Sequence, residues 1–351
     1  MKHALTLASL VFTSQMLLAE PPLGLPPLPI PENNPQTPAK IELGERLFMD
    51  ARFSSTGTVS CATCHAPDKA FIDETAPIAV SVGIEGLLGT RNAPTVVNSA
   101  YNRTQFWDGR SPDLEDQSQH PFVNPVEMGL ADHEPLLATI RGDRAYTRAF
   151  DKVFDVAADQ ITMDHVMMAI ASFERTLISG NSPFDRWYFA GEEDAISEAA
   201  KRGFDVFLEQ GRCVSCHTIE QDHALFTDHK FHNIGIGIGA IDARVPELAG
   251  AFLAAKRSGA GVDAAVLTDV DTSHLGRFVV TEHVADVGGF KTSTLRNIAV
   301  TAPYMHDGSI ATLREVVEHY NNGGVTPADG PLTPYLSGGI RPLELTEQQI
   351  D

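Results

Sequence analysis

Cysteine is scarce: 351 residues contain four of them. That excludes a disulfide-rich scaffold, in which crosslinks stand in for a large core. Basic residues are also few, 26 Lys and Arg against 46 Asp and Glu, for a formal charge of −20. Nucleic acid binding needs a basic face, so no nucleic acid partner is expected. The acidic surface reads either as plain solvation or as a field that steers a basic partner. Alternating strand patterns are nearly missing. Long apolar runs are missing too, except in the opening MKHALTLASLVFTSQMLLAE. Lys2, the apolar stretch from Ala4 to Leu18 and the small residues before a cut after Ala19 predict a signal peptide over 1–19. An uncleaved anchor is the alternative, although the run is short for a bilayer span. The mature protein is therefore expected in the periplasm.

Residues 20–39 are rich in proline and lack periodicity, which predicts an extended arm or tether. Helices are predicted at IELGERLFMD, HEPLLATIRGDRAYTRAFDKVF, TMDHVMMAIASFERTLI, EDAISEAAKRGFDVFLEQG and ATLREVVEHYNNGG. In the third, Val166, Ile170, Phe173 and Leu177 share one face. The last ends in Asn-Asn-Gly-Gly, a helix stop. Thr346 and Gln349 in LTEQQID read as a capping box that starts one more helix. Related sequences usually continue that helix, so the stability of the second half is the property at stake there. Between the helices run long loops rich in Gly, Pro and Asp.

All four cysteines fall in two copies of one pattern, VSCATCHAP and GRCVSCHTI. C-x-x-C-H fits a dithiol, half of a zinc site, a disulfide or covalent haem c attachment. Neither a dithiol enzyme nor a zinc site explains the His in both copies. In haem c the thiols bond the porphyrin and the following His lies under the iron. On this reading Cys61, Cys64 and His65 hold haem 1, and Cys213, Cys216 and His217 hold haem 2. GERLF before the first motif and GFDVF before the second form a faint repeat. The fold class expected is mainly α, with two cytochrome c-like haem domains and long irregular loops. The domains are placed at 40–185 and 186–351, with the boundary in the loop-like stretch NSPFDRWYFAGEED.

VGIEGLLGTRNAPTVVNSAYNRTQFWDGRSPDLEDQSQHPFVNPVEMG and FKTSTLRNIAVTAPYMHDGSIATLREVVEHYNNGG together resemble the bacterial dihaem cytochrome c peroxidase and MauG family. The resemblance covers nearly all of the chain from about residue 40. It implies a peroxide-using enzyme that takes electrons from a small cytochrome or copper protein, or a MauG-like enzyme that oxidises a partner protein. It also implies a homodimer in many members. A non-catalytic dihaem electron carrier is a third reading. By the match, Glu127 in NPVEM is the distal acid–base residue at haem 1, Gln117 a polar neighbour and Trp107 in FWDGR the relay between haems. Taken alone, Glu127 and Gln117 could be surface residues and Trp107 core packing. Asn92, with the backbone oxygens of Thr301 and Pro303, matches an inter-haem calcium site; an amide and carbonyls are hard oxygen donors.

Two departures from the peroxidase pattern stand out. Ile84 in SVGIEG occupies the place of a His that caps haem 1 at rest, so haem 1 is expected to be open; Glu85 is a weak substitute. Tyr320 falls where peroxidases carry the Met ligand of haem 2, as in MauG-type members, and a phenolate favours ferric over ferrous iron. Met305 and His319 are rival ligands. NIGIGIG looks like a nucleotide-binding glycine loop only superficially, since no strand precedes it and no helix follows, and is expected to be a flexible loop near haem 2. His120, His133, His165, His223, His229, His232, His274 and His283 show no ligand spacing and are expected at the surface or in structural roles. His306 is expected to hydrogen-bond near a haem.

Overall fold

The computed structural model describes residues 20–73, 75, 78–324 and 333–351; the predicted signal peptide lies outside them. The fold is mainly α, as expected, and the one sheet among the described residues is a two-residue antiparallel pair that joins Phe231 to Lys291 and His232 to Phe290. Among the described residues no helix is long and apolar enough to cross a membrane.

The first half is built on the Pro38–Met49 helix, which crosses the Met163–Glu174 helix. Gly44 makes the close crossing feasible, because a Cβ there would lie 1.9 Å from the Ala169 carbonyl oxygen. Around them Leu47, Phe48, Phe53, Phe122, Phe150 and Ile170 form a continuous buried core. The predicted helix over 133–154 is two helices, Glu134–Gly142 and Arg144–Phe154. Asp143 breaks it: its backbone is extended and its side chain accepts from the Ala145 N–H, which caps the second helix. Val166, Ile170 and Phe173 are buried as their spacing predicts.

Several expectations need correction. NSPFDRWYFAGEED is not loop-like, because Pro183–Ala190 is a helix. Ser182 and Asp185 cap its start reciprocally, Pro183 suits the first position and Gly191 ends it at φ 71°. The expected boundary at 185/186 cuts this helix. NIGIGIG is no free loop either: a two-residue strand precedes it, the Ile238–Ile241 helix begins within it, and Ile236, Ile238 and Ile241 are buried. Gly235, at φ 93°, is required there because a Cβ would lie 1.9 Å from the Gly324 carbonyl oxygen. The proline-rich arm has no helix before Pro38, yet it is docked rather than a tether. Leu25 and Asn34 are buried, the Asn34 amide donates to Glu115 at 2.7 Å, and the Asn181 N–H donates to the Leu23 carbonyl at 2.8 Å.

The repeat reaches further than the pentapeptides suggest. Phe71 and Phe226, Asn98 and Asn297, and Phe106 and Met305 are left-handed residues at matching places in the two halves. Gln105 bridges Ser111, and Tyr304 bridges Ile310, in the same way.

The halves and the arm meet at one buried knot. The Arg296 guanidinium donates to both oxygens of Asp185 at 2.8 and 2.9 Å, to the Ala224 carbonyl at 2.7 Å and to the Gly24 carbonyl at 2.6 Å. Neither charged side chain is more than 4% exposed. Removing one partner of such a pair strands the other without water. Asp185→Ala is expected to cost about 3–5 kcal/mol, read as a lower midpoint in chemical denaturation of the haem-loaded protein, with Asp185→Glu losing less.

Candidate active site

One cavity of about 770 Å³ runs between the halves and is walled by both C-x-x-C-H motifs. Its volume falls in the usual range for cofactor sites. Ser60 and Thr63 cap the short Cys61–Cys64 helix, and His65 follows at its end. The His65 Nδ1 lies 3.2 Å from the Phe71 carbonyl oxygen, and the His217 Nδ1 lies 2.8 Å from that of Phe226. A carbonyl only accepts, so each Nδ1 carries the proton and each Nε2 keeps its lone pair for a metal. Burial lowers the pKa of both imidazoles, which favours the neutral ligand form.

The residues fit two haem c groups. None of the four thiols is in a disulfide, and all four reach the same cavity, which removes the disulfide reading. The side-chain oxygens Ser81 Oγ, Ser99 Oγ and Glu174 Oε2 are buried on the cavity wall with no protein partner. Burial pushes the pKa of Glu174 up to about 8, helped by Glu115 and opposed by Arg175. Sequence reasoning missed Glu174, whose only sign is a carboxylate on a helix that is otherwise uncharged over its last two turns.

Glu127 and Gln117 both line the cavity. Glu127 sits in a turn after the Leu114–Val123 helix, where the Asn124 carbonyl accepts from the Glu127 N–H at 3.3 Å and from that of Gly129 at 2.8 Å. Burial raises its pKa to about 7; Asp263 adds to the rise, while Arg110 and His120 oppose it. Those three groups form one network. Arg110 and His120 both bond Asp263, Arg110 also bonds Asp108 at 3.1 Å, and Asp108 pairs with Arg91 at 2.6 Å. Asp263 belongs to the Val262–Thr268 helix of the second half. His120 is thus no isolated surface histidine.

Ile84 does not line the cavity. It is 7% exposed and belongs to the core of the first half. Its N–H donates to the Glu127 carbonyl at 3.0 Å, and its side chain fills the space that a Cβ on Gly129 would take. Glu85 is exposed at φ 54° and does not line the cavity.

Trp107 lines the cavity and its indole N–H donates to the Asn92 carbonyl at 2.9 Å. Asn92, Thr301 and Pro303 share that wall, and the Asn92 amide donates to the Pro303 carbonyl at 2.7 Å. Lys291 was also missed by sequence reasoning. It donates to the Thr104 carbonyl at 2.8 Å, and burial lowers its pKa to about 8. Tyr320 and Met305 both face the cavity. Burial, with the Cys213 and Cys216 thiols across from it, pushes the Tyr320 phenol well above its usual range. His319 points elsewhere, its Nε2 lying 2.8 Å from the Ile234 carbonyl oxygen.

A di-haem cytochrome c peroxidase family model matches residues 38–194. Cytochrome-c peroxidase IdrP1 of Denitromonas iodatirespirans is 37% identical over 94% of this chain and 83% of its own length. The chain belongs to the dihaem cytochrome c peroxidase and MauG family. Methylamine utilization protein MauG of Methylophilus methylotrophus is also 37% identical, over 85% of this chain and 77% of that protein. The crystal structure of a MauG-like protein associated with microbial copper homeostasis superposes with a TM-score of 0.74 at 31% identity, covering 95% of this chain and 92% of that one. As a family member the chain is a peroxide-using oxidoreductase with two covalently bound haem c groups. Replacing Cys213 and Cys216 together by Ala is expected to leave one covalent haem where the wild type holds two, counted by pyridine haemochrome absorbance after denaturation.

Proposed function

We propose that the mature chain is a periplasmic dihaem peroxidase that takes hydrogen peroxide at haem 1, in the domain over 40–185. In this reading the domain over 186–351, which would hold haem 2, receives single electrons from a small cytochrome or copper protein. The overall change is H2O2 + 2 e⁻ + 2 H⁺ → 2 H2O. Bound haem would supply a redox-active iron.

The observation that carries the proposal is the Glu127 carboxyl in the cavity wall, with a pKa near 7. Such a group can take a proton from one peroxide oxygen and return it to the other near neutral pH. Gln117, on the same wall, orients the peroxide through its amide. Trp107 relays electrons between the halves, its indole held by Asn92. Asn92 with the carbonyls of Thr301 and Pro303 offers oxygen donors to calcium. The placement of Ile84 in the core, with Glu85 exposed, supports a haem 1 that peroxide reaches without a ligand first leaving.

A second reading, a MauG-like enzyme that oxidises residues of a partner protein by long-range electron transfer, is favoured by Tyr320. That phenol faces the cavity opposite Cys213 and Cys216 while His319 turns away. An anionic oxygen ligand holds the potential of haem 2 low, whereas Met raises it.

Glu127 accepts a proton only when ionised, so the rate of reaction with peroxide is expected to rise with pH through about 7. In Glu127→Gln that limb disappears and the rate falls about 10²–10⁴-fold in stopped-flow mixing; an unchanged rate overturns the assignment. Tyr320→Met is expected to raise the midpoint potential of one haem alone in spectroelectrochemical titration. If both potentials stay where they are, Tyr320 is not a ligand and Met305 takes its place.

A further inference from the structure

Two buried imidazoles outside the haem motifs face each other. His274, at the end of the Val270–Ser273 helix, and His306, in the loop that walls the cavity, are 7% and 3% exposed. His274 Nδ1 lies 3.1 Å from His306 Nε2. The Asp307 carboxylate completes the group, with one ligand atom from each residue within 4.8 Å of the others.

The side chains are held in place. His306 lies flat on Phe290, ring centroids 3.6 Å apart at 13°, and meets His274 edge to face at 84°. Gly237 lets the backbone press on the His274 ring, since a Cβ there would lie 2.1 Å from Nδ1. One Asp307 oxygen accepts from the Ser309 N–H at 3.0 Å, which fixes the carboxylate and leaves the other oxygen to bind.

Nitrogens bound to zinc at about 2.0–2.1 Å in tetrahedral geometry are about 3.3 Å apart. The observed 3.1 Å needs only a small adjustment. Both rings are buried, and the Arg91 cation lies close enough to act on each. Arg91 is itself neutralised by Asp108 at 2.6 Å, and Asp307 and Asp271 supply negative potential on the His274 side.

We propose that His274, His306 and Asp307 bind one divalent transition-metal ion of the kind that imidazole and carboxylate share, with Zn²⁺ as the probe. Before binding, the N–H of one neutral imidazole donates a hydrogen bond to the bare nitrogen of the other. On binding, each neutral ring carries its proton on the nitrogen that faces away, so no net proton is released. The ion ties the end of the Val270–Ser273 helix to the loop that carries Met305. It is distinct from the oxygen-only calcium set, because calcium does not favour imidazole. The site does not depend on how the haems divide their work.

The test uses haem-loaded protein stripped with a chelator, titrated with Zn²⁺ and followed by native mass spectrometry. One Zn²⁺ per chain is expected to bind at micromolar concentration or below. His274→Asn and Asp307→Asn are each expected to weaken it 100-fold or more, and Asn92→Ala to leave it unchanged. Circular dichroism and haem absorbance verify folding. Asp307 is only partly buried, so its variant carries the test if His274→Asn does not fold. No uptake by the wild type overturns the proposal, as does equal uptake by a folded variant, which would place the zinc elsewhere.

Discussion

One hydrogen bond aims each motif histidine. His65 and His217 both donate from Nδ1 to the carbonyl of a phenylalanine, Phe71 or Phe226, and both phenylalanines are left-handed, at φ 56° and 54°. Bulky residues avoid that region, so the surrounding chain must enforce it. In the first half the bridge between Ala66 and Ile72 does so, closing a tight loop just after the motif. In the second, Thr218 Oγ1 donates to the Thr227 carbonyl at 2.9 Å across the corresponding loop. Once both rings are aimed, the two motifs can share one cavity, and everything on its walls acquires a distance to both.

The electrostatics of that cavity depend on both halves. Glu127 comes from the first, but Asp263, which draws Arg110 and His120 together beside it, comes from the second. A carboxyl that must titrate near neutral pH is sensitive to each of these charges. The acid–base chemistry proposed for one half is therefore set partly by the docking of the other.

The local pieces were legible in the sequence because their signals are local. The periodicity of Val166, Ile170 and Phe173, the Asn-Asn-Gly-Gly stop and the paired C-x-x-C-H motifs each act within a few residues. The family motifs also placed Glu127, Gln117, Trp107 and Tyr320 on one cavity wall or another. What escaped depends on residues far apart in the chain. The arm could not be read as docked, because its partners include Asn181 and Arg296. His120 and Asp263 are 143 positions apart, and His274 and His306 are 32 apart. The Pro183–Ala190 helix was within reach, since Ser182, Pro183, Asp185 and Gly191 are all capping residues. Its dense aromatic composition hid the helical period.

The Glu198–Leu208 helix, which leads into the second motif, has no buried residue of its own, and Leu208 is 39% exposed. Phe204 and Phe207 pack in a ring cluster with Phe184 and Phe226, and all four rings stay partly exposed. The first motif, by contrast, rests on Phe48 and a core that is already closed. The two motifs accordingly differ in what holds them: the first stands on closely packed side chains, and the second on partly exposed rings that have more room to shift.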